Sequence, residues 1–190
     1  MKKDETKNID TDALIKKMQK QDVEYRKVTK ALQIVFFVFI FLYAGFFIFN
    51  PLPKMSTMYH KVAGGCYVLA FMLFTYYFRK SYKKLKEVNY FEPVKKVLED
   101  AELRYRFWQT KSYSIEIVIV IAMLFIGAGT FVIFYMAFKD KFTLMQILIG
   151  VQSIYIFVIG TSILIAYFAW VKEMKPTWLS IKKLLKEIEE

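Results

Sequence analysis

The residues that could do chemistry in this chain are few and scattered. Cys66 is the single cysteine and His60 the single histidine. A nucleophilic role for Cys66 would need a base to take the thiol proton, and His60 is the only imidazole that could serve. One cysteine forms no internal disulfide. A transition-metal centre needs His, Cys, Asp or Glu in a cluster, and one isolated member of each soft type does not supply it. The glycine pairs Gly64-Gly65 and Gly127–Gly129 sit inside apolar runs, so neither is a phosphate-cradling loop. The expectation is a protein without enzymatic activity, cofactor or metal. Cys66 reads as a small packing residue and His60 as a polar residue at a membrane interface.

Ion-coupled transport would instead require ionisable or polar side chains deep in lipid. The deepest ionisable residue is Glu116, which begins an apolar run. There the positive end of the helix dipole favours a carboxylate. The polar residues farther from any flank are Gln152, Ser153, Thr161 and Ser162. Hydroxyls in spanning helices commonly bond their own backbone. Gln152 is different, because a primary amide in hydrocarbon needs partners. A neighbouring helix or a second copy is the expected source. Gly150, Gln152, Ser153, Gly160 and Thr161 therefore form the candidate helix-packing or polar-pathway set.

These residues are positioned by four apolar runs. Ile117–Phe138 holds 22 residues without a charge, roughly 33 Å of helix at ~1.5 Å per residue. A bilayer core is about 30 Å thick. Ala31–Phe49 is a phenylalanine-rich run that Asn50-Pro51-Leu52-Pro53 should stop. Val62–Phe78 is the shortest, with Ala63, Gly64, Gly65, Cys66 and Ala70 offering a close-approach surface. A bulky first span against this small-residue second span makes a plausible antiparallel pair. Leu144–Val171 is longer than a bilayer needs, so it should tilt or project. Thr143 and Gln146 have capping-box spacing at its start.

Charge orders the loops. Of 28 Lys and Arg, all but Lys54, Lys61, Lys139 and Lys141 fall in residues 1–30, 79–111 and 172–190. Basic residues gathered on alternate loops follow the positive-inside pattern. The net charge of +11 is thus assigned to a cytoplasmic flank near anionic lipid headgroups, not to nucleic acid. The first thirty residues carry no apolar run, so the first span is expected to act as its own targeting signal.

The basic flanks are also patterned as helices. Leu14, Met18, Tyr25, Val28 and Leu32 make a stripe that should run unbroken into the first span. Pro93 is placed to start a helix over 93–111. Its apolar face, Val94, Val97, Leu98, Ala101, Tyr105 and Trp108, is the candidate partner-binding or cytoplasmic packing face. Trp178, Ile181, Leu184, Leu185 and Ile188 mark a last amphipathic helix. The two halves share this order of parts. Asp22-Val23-Glu24-Tyr25-Arg26 and Asp100-Ala101-Glu102-Leu103-Arg104 share a charge pattern, which raises an internal duplication.

The sequence therefore predicts an all-α integral membrane protein: four transmembrane helices as two hairpins, with amphipathic cytoplasmic helices extending the bundle. The expected parts are a cytoplasmic N-terminal helix over 1–30, a transmembrane hairpin over 31–78, a cytoplasmic linker with its amphipathic helix over 79–114, a second hairpin over 115–171 and a cytoplasmic C-terminal helix over 172–190. Both termini are placed in the cytoplasm and the protein in the cell membrane. The expected function is that of a membrane-anchored interaction or regulatory protein with a cytoplasmic protein partner. The alternative is a small channel or transporter subunit that works as a homo-oligomer.

Overall fold

The computed structural model describes residues 11–49, 58–107 and 113–190. The described residues form six helices and no strand: α1 (Thr11–Phe49), α2 (Met58–Lys86), α3 (Val94–Tyr105), α4 (Tyr113–Phe138), α5 (Leu144–Glu173) and α6 (Lys175–Glu189). Helices α1, α2, α4 and α5 are each long and apolar enough to cross a membrane. The proline stop at 50–53 lies outside the described residues.

α1 runs 39 residues, about 58 Å at ~1.5 Å each. Nothing breaks it, because no proline falls inside it and its one glycine is Gly45. A single helix therefore carries both the first span and a charged extension before it. α2 likewise continues past Phe78 through Arg79–Lys86. α5 starts as its sequence predicts: Gln146 N donates to Thr143 Oγ1, and Thr143 N donates back to Gln146 Oε1 at 3.0 Å.

Two sequence expectations change. Pro93 has φ −53° and ψ 136°, so it precedes the helix and α3 begins at Val94. α3 also ends early. Arg106 is extended, with ψ 135°, and closes the helix after Tyr105. Trp108 and the rest of the expected helix lie outside the described residues.

α2 is the central helix, with α1 on one side and α4 on the other. Bulk meets small residues on both faces. Phe36 stacks on Phe74 and Phe78, with ring centroids at 4.9 and 5.5 Å. Nearer the other end, a Cβ built on Gly64 would overlap the Phe47 ring, so only glycine admits that ring. A Cβ built on Gly129 of α4 would lie 3.1 Å from Ala63 O and from the Tyr67 ring. The Tyr67 and Thr130 hydroxyls bond at 2.8 Å beside it. Gly65 is a correction: nothing lies within 4 Å of a Cβ there, and its neighbour Gly64 makes the close approach.

α5 touches α4 through Ile147, Val151 and Tyr155. The Tyr155 hydroxyl donates to Met123 O. None of the most apolar window of α5 is buried by the rest of the chain. Ile156, Phe157 and Phe168 are 69%, 74% and 66% exposed, a surface suited to lipid and too apolar for water.

A second core lies where the charged extensions gather. Leu14 and Met18 of α1, Val97, Leu98, Ala101 and Tyr105 of α3, Ile181 and Leu184 of α6, and Met174 between α5 and α6 form one buried cluster. Each large side chain fully buried there contributes roughly 1.5–3 kcal/mol. Tyr90, Trp170, Trp178 and Leu185 flank it.

Candidate functional site

Asp22 is the centre of this second core. It stands one turn after Met18 on the buried face of α1 and is 7% exposed. A carboxylate in such a place needs several hydrogen bonds or an opposite charge. It has both. The Tyr105 hydroxyl donates to Oδ1 at 3.0 Å, and the Tyr90 hydroxyl donates to Oδ2. Arg104 brings Nη2 within 3.3 Å of Oδ2. The Tyr105 hydroxyl also lies 3.1 Å from Met18 O, a second acceptor for its one proton.

The local order of the chain explains how these groups meet. Tyr90 sits in the turn after α2, and Asn89 Oδ1 fixes that turn by accepting from Phe91 N at 3.0 Å. Arg104 and Tyr105 are the last two residues of α3. The end of α3 is tied to α5, because Trp170 Nε1 donates to Tyr105 O at 2.8 Å. Trp178 Nε1 donates to Glu102 Oε1 at 3.1 Å and ties α3 to α6. Gln21 Nε2 donates to Glu173 O at 2.8 Å and ties α1 to the end of α5. Asp22 therefore joins segments that are distant in sequence.

Burial first, and the Asp22 carboxylate second, push the Tyr90 and Tyr105 phenols well above the ordinary tyrosine value. Both are neutral donors at physiological pH. The arrangement suits positioning and charge compensation. Phenols held neutral in this way do not exchange protons near neutrality, which needs a group whose pKa lies close to the working pH.

A cavity of about 440 Å³ opens beside this centre. α1 lines it with Asp22, Tyr25, Val28, Thr29 and Leu32, and α2 with Tyr77, Phe78, Ser81, Lys84 and Leu85. Arg104, Tyr105, Phe107 and Met174 close the opposite side. Its walls are charged and hydroxylated toward Asp22 and apolar toward Leu32 and Phe78.

The residues singled out from sequence separate into groups. Val97, Leu98, Ala101 and Tyr105 are buried, while Val94 on the same stripe is 42% exposed. Trp108 lies outside the described residues, as does the side chain of Glu116. Gly150, Gln152, Ser153 and Thr161 are exposed and Gly160 is half-buried. A Cβ at Gly150 or Gly160 would meet nothing within 4 Å, so neither glycine accommodates another helix among the described residues. Thr161 and Ser162 donate to Phe157 O and Val158 O at 2.8 Å, the backbone bonding common to such hydroxyls. Gln152 makes no hydrogen bond among the described residues. His60 packs on the Phe47 ring at 5.0 Å. Cys66 lies half-buried against Gly129. Among the described residues no three His, Cys, Asp or Glu gather as a metal site.

The Asp22 centre was not among the expected site residues. Its signal was in the sequence: Leu14, Met18 and Asp22 are each four apart, so the acid falls on the apolar face of the stripe. Comparison of the chain with protein families, with curated proteins and with solved structures found no match.

Proposed function

We propose that this chain is a non-enzymatic, multi-pass membrane protein that acts by contact with a cytoplasmic protein. In this reading the spans form two hairpins and both termini are cytoplasmic. The extension of α1, with α3 and α6, forms a folded layer beneath the bundle. The observation that carries the proposal is Phe91. It is 100% exposed at the turn between α2 and α3, although Asn89 holds that turn in place. Val94, 42% exposed, lies one helical turn away, while Val97, Leu98, Ala101 and Tyr105 of its stripe are consumed by the core. An aromatic side chain held out on an ordered turn is the kind of anchor that fills a partner's pocket. Lys95 and Lys96 beside it are exposed, which suits an apolar pocket with an acidic rim.

The experiment is photo-crosslinking in native membranes from a photoreactive residue at Phe91. A discrete cytoplasmic partner captured from position 91, and captured from a photoreactive residue at exposed Lys95 only while Phe91 is not replaced by Asp, supports the reading. Crosslinks to lipid alone overturn it. The orientation is checked separately by impermeant thiol labelling in a Cys66→Ser background. Cysteines at Thr57 and Asp140 should react from outside, and those at Thr6, Asn89 and Ser180 should not.

A second reading, a small channel or transporter subunit working as a homo-oligomer, is favoured by Gln152. Its amide projects from an apolar helix with no hydrogen-bond partner among the described residues, and the same residue of a second copy would satisfy it. Specific solute flux into proteoliposomes, abolished by Gln152→Leu, would establish this reading over the first.

A further inference from the structure

We propose that the groove between α4 and α5, beside the turn that joins them, holds one membrane phospholipid by an acyl chain, with the ester carbonyl of that chain accepting from Gln146 Nε2. The groove has a volume of about 360 Å³, the space of roughly twelve waters at ~30 Å³ each. It falls within the ~300–1,000 Å³ range of small-molecule sites.

Sequence spacing builds the walls. Phe134, Phe138 and Phe142 are four apart, and their rings follow one another with centroids at 5.8 and 6.1 Å. The turn keeps the third ring in line, because Phe142 N donates to Phe138 O at 3.0 Å. α5 supplies the floor through Ile147 and Val151, both buried. Gly150 leaves a notch beside them, since a Cβ there would meet nothing within 4 Å. Ile154 lies eight residues beyond Gln146, about 12 Å along the helix at ~1.5 Å each. No charged side chain lines the groove.

Gln146 is the one polar residue on the lining. Its Oε1 is taken by the helix cap, accepting from Thr143 N and Oγ1 at 3.0 and 3.2 Å. Its Nε2 makes no hydrogen bond among the described residues. An unpaired amide N–H beside an apolar wall calls for an acceptor joined to hydrocarbon.

Depth selects the source of that acceptor. Lys139, Asp140 and Lys141 of the turn belong with headgroups and water. Gln146 is in the first turn of α5, and Gly150 and Ile154 follow one and two turns deeper. The groove therefore runs from headgroup level into hydrocarbon. A phospholipid places its ester carbonyl at the first level and its chain along the second. Phe142 and Ile154 are 51% and 56% exposed, so the groove opens sideways toward lipid. The inference holds for either orientation of the spans and needs no protein partner.

The test is native mass spectrometry of the full chain in detergent, titrated with a diacyl phosphatidylcholine and with its dialkyl ether of the same chain length. The ether keeps headgroup and chains but lacks the ester carbonyls. The wild type should bind one diacyl lipid about fivefold more tightly than the ether, the effect of one amide hydrogen bond. Gln146→Glu keeps the Oε1 acceptor that the cap uses and removes the N–H, so it should abolish that preference. Gly150→Leu fills the notch and should weaken both lipids about tenfold through lost apolar contact. Gly160→Leu, at an equally open glycine off the groove, should leave binding unchanged. Thermal unfolding of each variant checks that the fold is retained. Equal binding of ester and ether by the wild type, or equal loss with Gly150→Leu and Gly160→Leu, overturns the proposal. So does a wild-type dimer that Gly150→Leu splits without changing lipid binding, since a second copy then fills the groove.

Discussion

Replacing Asp22 by alanine tests the reasoning behind the inner core most directly. The wild-type carboxylate accepts two tyrosine hydroxyls and faces the Arg104 guanidinium. Its side chain is 9% exposed and that of Arg104 is 22% exposed, so water reaches neither freely. Tyr105 retains Met18 O as an acceptor in the variant. The Tyr90 hydroxyl loses Asp22, and Arg104 loses its facing carboxylate. Breaking a buried pair from one side costs about 3–5 kcal/mol. Asp22→Asn keeps an acceptor for one tyrosine and should cost less, roughly 1–3 kcal/mol. The assay is hydrogen exchange of the α3 amides in detergent, because α3 is held by this core and opens without unfolding the spans. Exchange should accelerate roughly a hundredfold or more in Asp22→Ala. Arg104→Met should add less destabilisation on the Asp22→Ala background than on the wild type, because the pair it would break is already gone. Exchange within threefold of wild type in Asp22→Ala would refute the argument, as would simple additivity in the double variant.

Gly64→Ala should lower the unfolding midpoint by about 1–3 kcal/mol equivalent as the Phe47 ring is displaced, whereas Gly65→Ala, with open space around it, should be neutral; thermal scans in detergent compare them. Leu98→Ala, at a fully buried position, should cost about 2–5 kcal/mol, read by the same α3 exchange. The raised Tyr105 phenol predicts an alkaline limit. The folded state holds the proton more tightly than the unfolded chain, so this contribution is complete below about pH 10. It is lost above that, by up to ~1.4 kcal/mol per pH unit, as pH rises through the raised value. Tyr105→Phe should flatten that loss in exchange corrected for intrinsic rate.

The spans were readable because lipid imposes a simple rule. A helix that must hide its backbone from hydrocarbon over about 30 Å announces itself by length and composition. The bounds of α4 and α5 lie close to those that rule gives, and the start of α5 follows from its capping box, whereas α2 runs past its apolar run at both ends. The inner core was half readable. Val97, Leu98, Ala101, Ile181 and Leu184 fall at helical spacing, but Val94 has the same spacing and stays exposed. Periodicity gives a stripe, and how much of the stripe is covered depends on where the neighbouring helix ends. The stop of α3 at Tyr105 had no local signal, because Arg106, Phe107 and Trp108 are compatible with more helix. That stop leaves the Tyr105 carbonyl to accept from Trp170, a partner 65 residues away. Two adjacent glycines look alike in sequence, and only the approach of Phe47 distinguishes them.

The likeness between the halves can be weighed at the same site. In a packing with two-fold symmetry, every contact between the halves occurs twice. The shared pattern aligns Asp22 with Asp100 and Arg26 with Arg104. The Asp22–Arg104 pair would then have a twin between Asp100 and Arg26. Asp100 is exposed and pairs with no cation among the described residues. The helices differ as well. α1 and α2 interlock through Phe36, Phe74 and Phe78, whereas Gly150 and Gly160 of α5 meet nothing. An acid four residues before a base is also a pattern that helices adopt for their own stability. The shared charges are therefore accounted for by helix chemistry, and the burial of one aspartate and not the other is set by what packs against each half.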